Sequence, residues 1–144
     1  MMKKLKTCFA LLLAGLFSAN LIAGDQLKTS PSPDGAKVYI ISPKDGEEVS
    51  STFTVKFGLS GMGVAPAGVD KANTGHHHLI IDGKELPKAG VPMGANVKHF
   101  GGGQTETSVT LPKGKHTLQL ILGDMLHIPH DPMVVSEKIT VIVK

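Results

Sequence analysis

The sequence predicts an all-β fold, an antiparallel immunoglobulin-like β-sandwich of about seven strands, on three observations. Apolar residues recur at period two in short runs, no stretch carries a 3.6-residue helical period, and turn-forming residues separate the runs at short intervals. The Cys-Trp-Cys core of antibody domains is missing.

The elements follow in order. Residues 1–24 read as a cleaved secretory signal peptide: Lys3, Lys4 and Lys6 precede an apolar run over 8–17, followed by Ser18, Ala19 and Asn20. The run is short for a bilayer span and Asn20 interrupts it, so no stable membrane insertion is expected after cleavage. The expected compartment is the periplasm or the exterior. Residues 25–36, rich in Ser, Pro and Gly, read as a flexible leader, and 37–144 as the sandwich domain. Strands are predicted over 38–41, 52–59, 77–82, 107–111, 117–122 and 134–143, with a weaker one near 97–100. The alternation is clearest where Phe53, Val55, Phe57 and Leu59 interleave with Thr52, Thr54, Lys56 and Gly58, and where Leu118, Leu120 and Leu122 interleave with Thr117, Gln119 and Ile121. Asp45-Gly46, Asp82-Gly83 and Pro112-Lys113-Gly114 supply the turn signals.

Composition excludes several function classes. The one cysteine, Cys8, lies in the signal segment, so the mature chain has no disulfide, thiolate metal site or cysteine nucleophile. Three of the fifteen lysines leave with the signal, and the twelve that remain balance twelve acids. There is no arginine, the residue best suited to bidentate recognition of phosphate and guanine. Nucleic acid is therefore not an expected partner.

Six of the seven histidines fall in three clusters: His76-His77-His78, His99 ahead of Gly101-Gly102-Gly103, and His127 with His130 in an HIPH segment. In an immunoglobulin-like sandwich the connections holding these clusters share one pole, which places His76, His78, His99, His127 and His130 in one candidate metal site. On a strand His76 and His78 face one way and His77 the other, so His77 is only an additional candidate. His116 starts a strand at the opposite pole and is expected not to be a ligand. Met125 and Met133 flank the last pair as M-x-H-x-x-H-x-x-M and are further candidate donors, whereas Glu106, Asp124 and Asp131 could orient imidazoles. The bland readings are solvated surface histidines, methionines that fill core gaps and acids that cap turns. Imidazole with thioether suits copper, and imidazole alone suits zinc as well; a blue-copper site would need a cysteine.

The motifs GHHHLIIDG, KHFGGGQTETSVTLPKGKHTLQLILGD and HIPHDPMVVSEKITV resemble a family of small secreted bacterial proteins catalogued only as a domain of unknown function. The resemblance covers residues 38–143 and implies a compact β-sandwich with no established activity. By position its motif residues are His76, His77, His78, His99, Gly101, Gly102, Gly103, Gln104, Glu106, His116, Asp124, His127, His130 and Asp131. The family pattern carries a further histidine just before the position of His99 and a proline at that of Met133, from which this chain departs at Val97, Lys98 and Met133.

Enzyme motifs are missing: no G-x-S-x-G elbow occurs, and FGGGQT lacks the Gly-Lys-Ser/Thr ending of a phosphate loop. The glycine run reads instead as a tight loop allowing close backbone approach. The expected function is therefore a periplasmic protein that binds a transition metal, copper first and zinc second, for sequestration, delivery or sensing. Its partners would be the metal ion and another envelope metal-handling protein. A metal-free adhesion or assembly module is the alternative, and a histidine-metal hydrolase or redox enzyme the second alternative.

Overall fold

The computed structural model describes residues 27–144, so the signal peptide expected over 1–24 lies outside the described residues. Nine strands form: β1 (Lys37–Ser42), β2 (Glu48–Val49), β3 (Thr52–Ser60), β4 (Gly63–Val64), β5 (Thr74–Ile81), β6 (Lys98–His99), β7 (Glu106–Thr110), β8 (Gly114–Gly123) and β9 (Ile139–Val143). The described residues contain no helix.

Two sheets make the predicted sandwich. One has the order β1-β3-β7; the other runs β2-β9-β8-β5-β4, with β6 also paired to β5. The long pairings are antiparallel, and only the two-residue strands β2 and β4 add in parallel, to β9 and β5. The two-residue strands β2 and β4 carry too little alternation to stand out in the sequence, whereas β6, equally short, falls within the weaker strand expected near 97–100. The expected strand over 134–143 is shorter than its apolar pattern suggested. Ser136 turns its hydroxyl onto the Leu120 amide and donates its own N–H to the Leu120 carbonyl, and the regular ladder begins only at Ile139.

The period-two pattern decides which side chains meet. Leu118, Leu120 and Leu122 of β8 and Leu79 of β5 point inward and pack with Val38, Val55, Phe57 and Val109 of the opposing sheet. Leu79, Leu118, Leu120 and Leu122 are fully buried, and truncating any one of them to alanine would cost about 2–5 kcal/mol. Their neighbours in sequence, Ile80 and Ile121, face outward and still become buried. Val97, Met93, Met133 and Val135, from the long connections, cover them as a second small core. The outer face of the larger sheet is thus roofed, and the histidines lie under the edge of that roof.

Residues 30–32, within the expected leader, are tied down. Pro31 bridges to Asp131, the Ser32 amide donates to the Asp131 carbonyl, and the Ser30 hydroxyl donates to the Asp124 carboxylate at 2.9 Å.

Candidate metal centre

The strand β5 carries the three consecutive histidines, and alternation sorts them. His77 enters the main core, with its ring 5.1 Å from that of Phe57. His76 and His78 point to the outer face, their rings 4.6 Å apart. His78 is paired in register with His99 of β6, and directly opposed residues of an antiparallel pair share a face, so His99 is delivered beside it. His76 is opposed by Gly123, which has no side chain to occupy the space above it.

The fourth histidine arrives by a turn. The Asp124 carboxylate accepts the amides of Leu126 and Ile128 at 2.9 and 3.0 Å, and the His127 amide donates to the Asp124 carbonyl. His127 itself has φ +64°, a left-handed conformation that costs a non-glycine residue roughly 1 kcal/mol. The acid therefore holds a strained backbone that aims this imidazole at the sheet.

Together His76, His78, His99 and His127 present one ring nitrogen each, all within 4.8 Å of one another. His76 Nε2 is 3.0 Å from His127 Nδ1 and 3.1 Å from His99 Nε2. A tetrahedral ion with nitrogen ligands at about 2.0–2.1 Å needs nitrogens about 3.3–3.4 Å apart, so a small contraction or expansion of the group would seat one. His76 and His78 are 0% and 1% exposed, whereas His99 is exposed and His127 half-buried. Two donors are thus set in β5, a third lies beside them on the short strand β6, and the fourth closes over them from the β8–β9 connection.

Electrostatics keep the buried pair in the ligating form. Burial, followed by the neighbouring His99 and His127, pushes the His76 pKa down to about 4, against an opposing pull from Asp124. Burial and the other three imidazoles push His78 down to about 3. Burial and then His127 lower His99. At neutral pH His76 and His78 are neutral imidazoles, each with one lone-pair nitrogen, so an incoming cation has no imidazolium proton to displace from them.

Several expected residues stand elsewhere. His130 is buried outside the group: its Nε2 donates to the Thr74 carbonyl at 3.1 Å, because the chain reverses between His127 and the Pro129 bridge to Gly123. His77 faces the wrong side of its strand. Met133 packs in the outer core against Ile80, Val97 and Ile121, and Met125 lines a cavity of about 420 Å³ beside His130. Glu106 is exposed on β7 of the other sheet, paired with Lys56, and Asp131 is exposed and engaged through its backbone with Ser30 and Ser32. Of the three acids only Asp124 supports the group. His116 stands apart, on Asp82 at 2.7 Å and on the Pro112 carbonyl at 2.9 Å. Two glycines make room for the group: Gly101, expected from the sequence only as part of a tight loop, and Gly123, which no sequence motif singled out. A Cβ on Gly123 would stand 2.6 Å from His78 Cε1, and one on Gly101 would stand 2.6 Å from His99 Nε2. The signal for Gly123 was a glycine continuing the outward positions of Gln119 and Ile121 at the end of β8.

Fold and site together define a two-sheet β-sandwich with a four-histidine group that could hold a metal ion. The chain belongs to the family described as a domain of unknown function (DUF4399), whose model matches residues 55–144, a stretch that includes all four histidines. No curated protein and no solved structure matches the chain.

Proposed function

We propose that this is a periplasmic or secreted protein that binds a single transition-metal ion, copper first and zinc second, and serves in sequestration, delivery or sensing. The observation that carries the reading is the approach of four ring nitrogens, from β5, β6 and the β8–β9 connection, to within 4.8 Å of one another. Neutral imidazoles that close can share one ring N–H between two nitrogens, but Nε2 of His76 faces both His127 Nδ1 and His99 Nε2, and its single proton or lone pair serves only one of them well, whereas a cation among the four would satisfy all their lone pairs at once. Four protein donors fill a tetrahedral shell, which suits holding a metal rather than activating a substrate on it. The more accessible ligands, the exposed His99 and the half-buried His127, would be the first to exchange with a donor or acceptor protein of the envelope. The lysine-headed apolar segment at the amino terminus supports the compartment.

Calorimetric titration of the domain with Cu(II), with Cu(I) under reductant and with Zn(II) tests the reading. The comparison is a His99→Ala, His127→Gly variant, in which glycine keeps the left-handed backbone without strain. Submicromolar binding of one ion per chain, lost in the variant, is expected. Binding that is absent, or equal in the two proteins, would favour the metal-free adhesion module instead.

A further inference from the structure

We propose that Met93 is a further donor of this centre, its sulfur taking the place of one imidazole in a four-coordinate shell, and that it selects a soft monovalent ion, Cu(I), over Zn(II). The inference rests on the metal reading above and adds to it a ligand outside the imidazole group and an oxidation state.

Met93 reaches the site from the long connection between β5 and β6. Its backbone amide donates to the carbonyl of His127 at 2.8 Å, which joins this connection to the turn bearing the fourth histidine. Its terminal methyl lies 2.8 Å from the point where a Cβ on Gly123 would stand, and that same point is 2.6 Å from Cε1 and 3.1 Å from Nδ1 of His78. The gap left by glycine is therefore shared by the His78 ring and the end of the Met93 side chain, whose sulfur is one bond from that methyl. Among the described residues no other methionine is placed this way: Met62 packs against the main core, Met133 is in the outer core, and Met125 faces the cavity beside His130. Thioether sulfur is a soft donor that favours Cu(I), whereas Zn(II) is satisfied by the imidazoles alone. A soft donor at the edge of the group thus raises the affinity for one ion and leaves the other unchanged. Met93 also touches the Ile80, Val97 and Ile121 cluster, so a packing role must be separated from a ligating one.

Met93→Leu keeps an apolar side chain of similar volume and hence the packing. Wild type and variant are titrated with Cu(I) and with Zn(II) against chelators of known affinity, and the Cu(I)-loaded proteins are examined by X-ray absorption. The variant should bind Cu(I) about ten-fold or more weakly and Zn(II) as before, with a sulfur neighbour of copper visible in the wild type and gone in the variant. Equal weakening of both ions would make Met93 a positioning residue, and an unchanged Cu(I) constant or a sulfur-free wild-type spectrum would remove it from the site; each overturns the inference while leaving the histidine centre standing. A wild type that binds neither ion would refute the metal reading itself and this inference with it.

Discussion

Gly101→Ala offers the most discriminating perturbation, because it removes no ligand and adds only one methyl. That methyl would stand 2.6 Å from Nε2 of His99, the atom that lies 3.1 Å from His76 Nε2 in the four-histidine group. Carbon contacts are comfortable only from about 3.5 Å, so the ring must retreat by roughly 1 Å. His99 is exposed and the clash is at the far end of its side chain, so the ring can swing into solvent at little cost to the fold. The smaller freedom of alanine in the unfolded chain adds about 0.4–1 kcal/mol in the stabilising direction. A site held together to about 0.5 Å loses much of its affinity when one donor moves by about 1 Å. We expect metal affinity to fall about 10- to 100-fold, or about 1.4–2.7 kcal/mol, with the melting temperature of the metal-free protein nearly unchanged. Calorimetric titration supplies the first quantity and scanning calorimetry of chelator-treated protein the second. Gly75→Ala is the contrasting control: its Cβ would meet the backbone oxygen of Gly123 at 2.7 Å, which cannot swing away, so the fold itself should suffer. Wild-type affinity in Gly101→Ala, or a loss of stability as large as that of Gly75→Ala, would refute the assignment of His99 Nε2 to the site.

Three other substitutions probe separate parts of the argument. His77 is buried against Phe57 with neither ring nitrogen hydrogen-bonded, so His77→Phe should stabilise the domain by about 1 kcal/mol in urea denaturation and leave metal binding intact; a loss of binding would place His77 in the site after all. Asp124→Ala strands the amides of Leu126 and Ile128 and the Ser30 hydroxyl, and should lower stability by about 2–3 kcal/mol together with metal affinity, as read by denaturation and titration of the same variant. At the far end of the sheet, the Asp82 hydrogen bond raises the His116 pKa above its usual 6.5. The protonated form is favoured in the fold, so this pair stabilises below pH 6.5 and its contribution disappears as the pH rises through the raised folded value. An NMR titration should show the His116 pKa falling on Asp82→Asn, and an unmoved pKa would assign the shift to another cause.

The legible part of the site was the part governed by local rules. Alternation along a strand put His76 and His78 on one face and His77 on the other, and the structure has the same division. The same rule separated Leu118, Leu120 and Leu122 from Ile121. His130 shows where local reasoning stops. Its i, i+3 spacing from His127 looks like a ligand pair, but one left-handed residue and one bridge at Pro129 send its ring to the Thr74 carbonyl. Met125 and Met133 flank the pair in sequence and are placed elsewhere by their packing, whereas Met93, some thirty residues upstream, is held against the His127 carbonyl.

What the sequence by itself determined was the fold class, the absence of cysteine from residues 27–144 and the face on which each β5 histidine points, because composition and period-two patterning are properties of neighbours along the chain. The sequence expected the histidines to gather, but the tertiary structure alone decided that four of them do so on the outer face of the larger sheet without His130, that Asp124 rather than Glu106 or Asp131 supports them, and that glycines at 101 and 123 make their room. Those outcomes depend on strand register, on one backbone dihedral and on which side chain fills a gap of a few ångströms, and such distances arise only when remote segments pack together.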